Sequence, residues 1–345
     1  GGRMGSKSIL LALALVVGVV GMSLAQQWNA EDILSRCANA YAGVQSYQDA
    51  TVMKQAMKMA GGMDMNMEMP GTFAFERPNK LRMEMKMPFI QSQSVTASNG
   101  SKMWSYMGML KQYTEEDAPP SLDATSIAST MSFGAAANAT SFHVYSLLLT
   151  SDPQKELAQA KESLKLEGAE DLGGKATHVL TWQQAMPMPD KMPANMPMPV
   201  PFDLTKLKGI TIPAKAWIGK DDFLIHQMTM DMGPMMRAMA ETIPKDSPQM
   251  PAQQAEMMRG MFQQMQVTMT FVHSNIKVNQ PIPAETFTFT PPADAKLVKE
   301  FDFSAMMPMM GGKATQKAGP MPAPPPAPAA PMPPGPEGKA GGKAP

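Results

Sequence analysis

Methionine alternates strictly with polar residues over residues 63–69 (MDMNMEM), and this pattern restricts the fold more than any other feature of the sequence. Phe73 and Phe75 keep the same parity. After a turn signal at 77–80 (RPNK), every second residue is again apolar up to position 89. Because side chains of a β-strand point alternately to its two faces, each strand has one face of thioethers and rings and one polar face. The pattern predicts a hairpin within a sheet that buries one face.

Other segments show strand or helix patterns. Asn99-Gly100 marks a second hairpin. Strand patterning recurs at about 162–168, 175–183, 209–219, 222–232 and 265–277, with a closing strand at 285–290. Asn29 is a suitable N-cap for a helix to about Val44, and the apolar block 141–150 is typical of a buried helix. We therefore predict an α+β fold dominated by a large, curved antiparallel sheet.

The ends of the chain and two internal segments differ from this domain in composition. Arg3 and Lys7 precede an apolar run at 9–20, which predicts a signal peptide over residues 1–25, cleaved after Ala25. The expected location is therefore periplasmic or secreted. The mature chain is predicted to contain one domain at 26–305, Met-rich insertions at 186–201 and 233–263, and a disordered Pro/Ala/Gly-rich tail at 306–345.

Charge, cysteine and motif content exclude several classes of protein. The 30 basic residues equal the 30 acidic residues, so the basic surface needed for nucleic-acid binding is not expected. The single cysteine, Cys37, excludes a disulfide framework and lies on the apolar stripe of the first predicted helix, as a small buried hydrophobe would. The four histidines, including His273, show no ligand spacing and are expected to be structural. No phosphate loop or nucleophile elbow is found, so we expect no enzyme activity and no cofactor.

Three stretches resemble the periplasmic lipoprotein-carrier family with the LolA/LolB-like fold. They are a strand–Arg-Pro-Asn–strand hairpin at 71–82 (GTFAFERPNKLR), a hairpin at 98–106 (SNGSKMWSY) and a carboxy-terminal segment at 287–292 (FTFTPP). Their order agrees with that family, and the resemblance extends over roughly residues 28–298. The sequence departs from the family pattern in its methionine excess, its two insertions and its Pro-rich tail.

The resemblance implies an incomplete antiparallel β-barrel covered by helices, with a hydrophobic cavity that accepts acyl chains. In that family the Arg of the Arg-Pro hairpin holds a helical lid closed, and Arg77 occupies the matching position. The implied partners are a lipid or a lipidated protein, with an envelope protein as a possible second partner and transient membrane contact.

Methionine accounts for 39 of the 345 residues, and three interpretations of it stay open. In the first, thioethers line a cavity for acyl chains, because methionine is unbranched and polarisable and adapts to flexible ligands. The predicted ligand-binding residues are sheet methionines and three aromatic residues: Met63, Met65, Met67, Phe73, Phe75, Met83, Met85, Met87, Trp104, Met228 and Met230.

The second interpretation is soft-metal binding, because thioethers select Cu(I). Its predicted ligands lie in the Pro-rich segment 186–201, at Met186, Met188, Met192, Met196 and Met198. The same methionines suit oxidant buffering, since methionine sulfoxide is reversible. In the third interpretation the sheet methionines simply replace the Val, Ile and Leu of an ordinary core. A lipid-sensing regulatory protein on the same fold is a further alternative.

Overall fold

The computed structural model describes residues 28–59, 61–122, 143–185, 204–244 and 251–303. Within these ranges the strands are β1 (Ser46–Met59), β2 (Met63–Glu76), β3 (Lys80–Met87), β4 (Ser92–Asn99), β5 (Lys102–Met107), β6 (Gln112–Asp117), β7 (Lys165–Leu172), β8 (Lys175–Ala185), β9 (Thr211–Gly219), β10 (Ile225–Asp231), β11 (Gln266–Val278) and β12 (Lys296–Leu297). The α-helices are α1 (Ala30–Ala42), α2 (His143–Leu149), α3 (Pro153–Ala158), α4 (Gly233–Thr242) and α5 (Ala252–Gln264).

All twelve strands belong to one sheet, in the order β12-β6-β5-β4-β3-β2-β1-β11-β10-β9-β8-β7. Neighbouring strands are antiparallel, except that β12 runs parallel to β6. The two longest strands, β1 and β2, have 14 residues each and lie near the middle of the sheet. Since β12 and β7 are edges that do not pair with each other, the sheet is open. The predicted α+β class with an incomplete antiparallel barrel covered by helices is confirmed.

Helices cover one face of this sheet, which we call the concave face. Helix α1 begins where predicted, with the Asn29 side chain accepting a hydrogen bond from the Asp32 backbone N–H at 2.8 Å. It buries Leu34, Cys37 and Tyr41 against the sheet. Cys37 is buried, as expected for a small hydrophobe, and burial raises the pKa of its thiol far above the ordinary value. Side chains of α1, α2 and α4 join those of the sheet in one continuous core.

The predicted closing strand at 285–290 is wrong. Residues Ala284–Phe287 form a 3₁₀ helix, and the extended residues after it do not pair with the sheet. Prolines 281, 283, 291 and 292 bound this segment, and proline has no N–H to donate to a strand ladder. Instead, the segment crosses the opposite, convex face of the sheet, where Arg82 Nη1 donates to the Thr288 carbonyl at 2.7 Å.

The predicted insertion at 233–263 contains α4 and α5. The apolar side chains of α5 fall into two groups. Met258 and Phe262 pack beside buried Ile243, whereas Met257 and Met261 are 69% and 39% exposed. None of the helices within the described ranges is long and apolar enough to cross a membrane. The predicted signal peptide, the 186–201 segment and the 306–345 tail lie outside the described residues.

Candidate functional site

Strand register brings most of the predicted ligand-binding residues onto the concave face. Phe73 lies opposite Met83 across the β2–β3 pair. On the same face, beyond β1, Met230 of β10 lies opposite Met269 of β11. The predicted residues that share this face and its core are Phe73, Phe75, Met83, Met85, Met228 and Met230, with Met87 half-buried beside them. A continuous apolar surface therefore extends from β3 to β10.

This surface is covered by helix side chains in the structure. Met228 and Met230 are only 1% and 2% exposed. Phe73 stacks on the ring of Tyr145 from α2, with ring centroids 3.8 Å apart. The helices therefore occupy the space directly above this part of the concave face.

Four predicted residues are placed elsewhere or described only in part. Met65 and Met67 have the concave parity but lie toward the end of the sheet, where Met65 is 40% exposed. For Met63 the structure describes the backbone position only. Trp104 does not share the concave face, because it pairs with Ala97 on the convex face, and its Nε1 donates to Glu115 at 2.9 Å. The five methionines predicted to bind Cu(I) at 186–198 lie outside the described residues.

Arg77 joins the β2–β3 hairpin to two helices, and we call this set of contacts the Arg77 latch. Its Nε donates to the Val44 carbonyl, just beyond α1, at 2.8 Å, and its Nη2 donates to the Leu148 carbonyl in α2 at 3.0 Å. Partial burial lowers the pKa of Arg77 below its usual value, yet arginine stays charged at any physiological pH. A residue that holds α2 over the sheet needs contacts of this kind. The gating role of Arg77 stays a prediction.

A buried polar cluster lies on the concave face and was not found from the sequence. One Asp49 carboxylate oxygen lies 2.7 Å from His273 Nδ1 and accepts from Tyr47 Oη at 3.0 Å. The other accepts from Tyr145 Oη of α2 at 3.1 Å. Burial, and to a lesser extent the nearby Asp49, raises the pKa of both tyrosines well above the usual value. Both hydroxyls therefore remain donors.

One signal in the sequence could have revealed this cluster. Asp49 has the same parity as Tyr47 and Met53 in β1, so an acidic residue stands at an inward-facing position. A buried carboxylate needs hydrogen-bond partners, and their presence could have been inferred. His273 is a buried residue with a hydrogen-bond partner, in agreement with the structural role expected for it. Within the described ranges, no three His, Cys, Asp or Glu side chains form a group that could hold a metal ion.

Residues 30–230 match the model of a family described as "Predicted periplasmic protein (DUF2092)", which is 201 of the 345 residues. The chain therefore belongs to the DUF2092 family. No functionally curated protein matches this DUF2092 member.

Several solved structures are similar to the DUF2092 chain at low identity. An uncharacterized conserved protein from Thermus thermophilus has 12% identity and a TM-score of 0.35, covering 78% of this chain and 98% of its own. LprF from Mycobacterium bovis has 13% identity and a TM-score of 0.32, and the match covers 77% of this chain and 97% of LprF. A LolA superfamily protein from Nitrosomonas europaea has 9% identity and a TM-score of 0.27, and the match covers 76% of this chain and 99% of that protein.

Proposed function

We propose that this DUF2092 protein is an exported carrier that binds a lipid, or the acyl chains of a lipidated protein, on the concave face of its sheet. The observation that carries the proposal is the Arg77 latch above an apolar surface. A single side chain connects the segment after α1 to α2, and Tyr145 of α2 stacks on Phe73 in the core that also holds the thioethers. Breaking the Arg77 latch would remove one of the attachments that hold α2, and with it the Tyr145 ring, over Phe73.

The chemistry of the face suits an acyl chain. Burying methylenes away from water contributes about 0.8 kcal/mol per CH₂, so a chain of about fifteen methylenes is stabilised by roughly 12 kcal/mol before the cost of opening is subtracted. Unbranched methionines such as Met85 and Met228 can change rotamer to contact such a ligand and then repack when it leaves. The ligand binds and leaves without a covalent step.

Opening would require two attachments of α2 to break. One is the bond from Arg77 to the Leu148 carbonyl, and the other is the bond from Tyr145 to Asp49. Helix α3 follows α2 closely and would move with it, losing the bonds from Gln154 to Ser35 and Asn39 of α1. A ligand that occupies the concave face would offset these losses.

The carrier is expected to act in the periplasm. The family is described as periplasmic, and the proposed signal peptide would be removed after Ala25. The proposed cargo is a lipid or a lipidated protein, taken from or delivered to a membrane during transient contact, with another envelope protein as acceptor. The proposed ligand-binding residues are those of the concave face, and Trp104 is not among them because it lies on the convex face.

Tryptophan fluorescence tests where the chain binds. Of the four tryptophans, Trp182 lies on the concave face, where it pairs with Ala214 beside Met230. Two variants are needed: one retains Trp182 and the other retains Trp104, with Phe at the other three positions. Dibromostearate quenches tryptophan on contact. We expect it to quench the Trp182 variant in a saturable titration and to leave the Trp104 variant unchanged.

The two variants control for each other, because both meet the same probe at the same concentration. Native mass spectrometry of the chain purified from a periplasm shows in parallel whether lipid co-purifies. Equal quenching of Trp104 and Trp182 would place the probe nonspecifically on the protein. Quenching of neither, without co-purifying lipid, would overturn the proposed function.

A further inference from the structure

The pairing of β1 with β2 creates a ladder of methionines that extends beyond the core. Met53 lies directly opposite Met69, Met57 opposite Met65, and the Cα of Met59 opposite that of Met63. The register is continuous over both strands, so these positions share the concave parity. None of the β1 members was selected from the sequence, because β1 lacks the strict alternation of β2.

Burial separates the ladder into an inner and an outer part. The inner rung, Met53 with Met69, is buried at 1% and 6% exposure and belongs to the core. In the outer part, Met57 and Met59 are half-buried and Met65 is 40% exposed. Hydrophobic burial explains the inner rung. It explains Met65 poorly, because a side chain this exposed gains little from removal from water.

We propose that Met57, Met59 and Met65 form a binding site for a soft monovalent cation such as Cu(I) or Ag(I). Directly opposite residues in an antiparallel pair have Cβ atoms about 4.5–5.5 Å apart, and residues two apart on one strand are separated by about 6.7 Å. Methionine has three rotatable bonds beyond the backbone, so three sulfurs at these spacings can converge on one ion. Three neutral thioethers are a ligand set for a soft metal ion.

The positions of the charged residues around these methionines favour a soft monovalent ion over calcium or magnesium. On the concave face, the positions of both strands from 53 to 59 and from 63 to 69 hold methionine or Gln55 and no carboxylate. The charged residues point to the convex face, where Lys54 pairs with Glu68 at 3.3 Å. Calcium and magnesium need several oxygen ligands, which these positions of β1 and β2 do not offer. The site is therefore matched to an ion that accepts sulfur ligands alone.

Methionine-to-leucine variants test the site without removing its apolar character. The triple variant M57L/M59L/M65L keeps side-chain volume and is expected to remain folded, since such exchanges usually cost less than about 1.5 kcal/mol. The matched control is M257L/M261L, which removes two exposed thioethers from α5. Cu(I), kept reduced with ascorbate under anaerobic conditions, is titrated into the full chain against a coloured Cu(I) chelator. Removing a residue that hydrogen-bonds to a metal ligand weakens metal binding by roughly 10–100-fold. Loss of the ligands themselves is expected to weaken Cu(I) binding at least as much, and the α5 control is expected to bind Cu(I) as the wild type does.

Methyl-¹³C methionine NMR of the full chain with Ag(I) separates this site from other methionines. Single variants assign the methyl signals of Met57, Met59 and Met65, which should shift together at the first equivalent. Copper uptake with these three signals unmoved would place the ion elsewhere and overturn the proposal. The triple variant should still show bromolipid quenching of Trp182, because leucine is apolar, so failure of the metal site and failure of the lipid carrier are distinguished.

Discussion

Replacing Asp49 with Ala is expected to lower the free energy of unfolding by about 3–5 kcal/mol, because loss of the buried carboxylate removes one hydrogen bond from each of three buried side chains. Tyr47, Tyr145 and His273 would each lose their bond to the carboxylate. Both carboxylate and imidazole are inaccessible to water, with side chains 0% and 1% exposed, so solvent cannot replace the lost contacts. Urea unfolding followed by circular dichroism measures the change.

Two variants make this test specific. Asp49→Asn keeps the size of the side chain and one acceptor oxygen, so it should lose less stability than Asp49→Ala. Asp64→Ala removes an exposed carboxylate from β2 and is expected to stay within about 0.5 kcal/mol of the wild type. An Asp49→Ala protein within 1 kcal/mol of the wild type would show that the cluster contributes little. If Asp49→Ala does not fold at all, the milder Tyr145→Phe, which removes one hydroxyl, gives a measurable difference.

The sheet could be predicted from the sequence because its signals are local. The two-residue period of β2 and β3 requires only neighbouring residues, and the Arg-Pro-Asn-Lys turn between them needs only four. Helix α1 was predicted from Asn29 and a single apolar stripe. Each of these elements is specified within about fifteen residues, which is the scale at which periodicity carries information.

Long-range features could not be predicted in the same way. Asp49 and His273 lie 224 positions apart, and they meet only because β11 returns to pair with β1. Trp104 was placed in the candidate site although the parity of β5 puts it on the convex face, a distinction that depends on which side the helices cover. The segment 285–290 has strand-like alternation, but its flanking prolines prevent ladder pairing.

The methionines show why composition alone did not locate the site. Met230 and Met65 belong to equally regular alternating segments, yet one is 2% exposed and the other 40%. Position along the sheet, and not residue type, decides which methionine packs in the core and which reaches solvent. Aspartate at Met85 or Met230 would therefore test folding before it tested ligand binding, because a charge there would be buried without a partner.

Replacing Arg77 with Ala is expected to open α2 without unfolding the sheet. Of the two lost bonds, the one to the Leu148 carbonyl is the one that opening of α2 breaks. It is donated by a charged group, and such a bond contributes about 1.5–3 kcal/mol. A net loss of about 2 kcal/mol from the closed state corresponds to a roughly 30-fold rise in the open population. Hydrogen exchange of the amides in 143–149 should quicken by that factor, and dibromostearate should reach Trp182 faster.

Arg82→Ala is the matched control for this variant. Arg82 also donates to a backbone carbonyl, that of Thr288, but on the convex face and away from α2. Both variants remove one guanidinium, and Arg82→Ala also breaks the ion pair with Glu84. Faster exchange in 143–149 that occurs only in Arg77→Ala therefore belongs to the latch. Arg77→Lys keeps the charge but cannot present two divergent donors to Val44 and Leu148, and an intermediate effect is expected. Exchange in α2 that is equal in Arg77→Ala and Arg82→Ala would contradict the latch. Faster exchange without faster quenching would instead mean that α2 moves but does not control entry to the concave face.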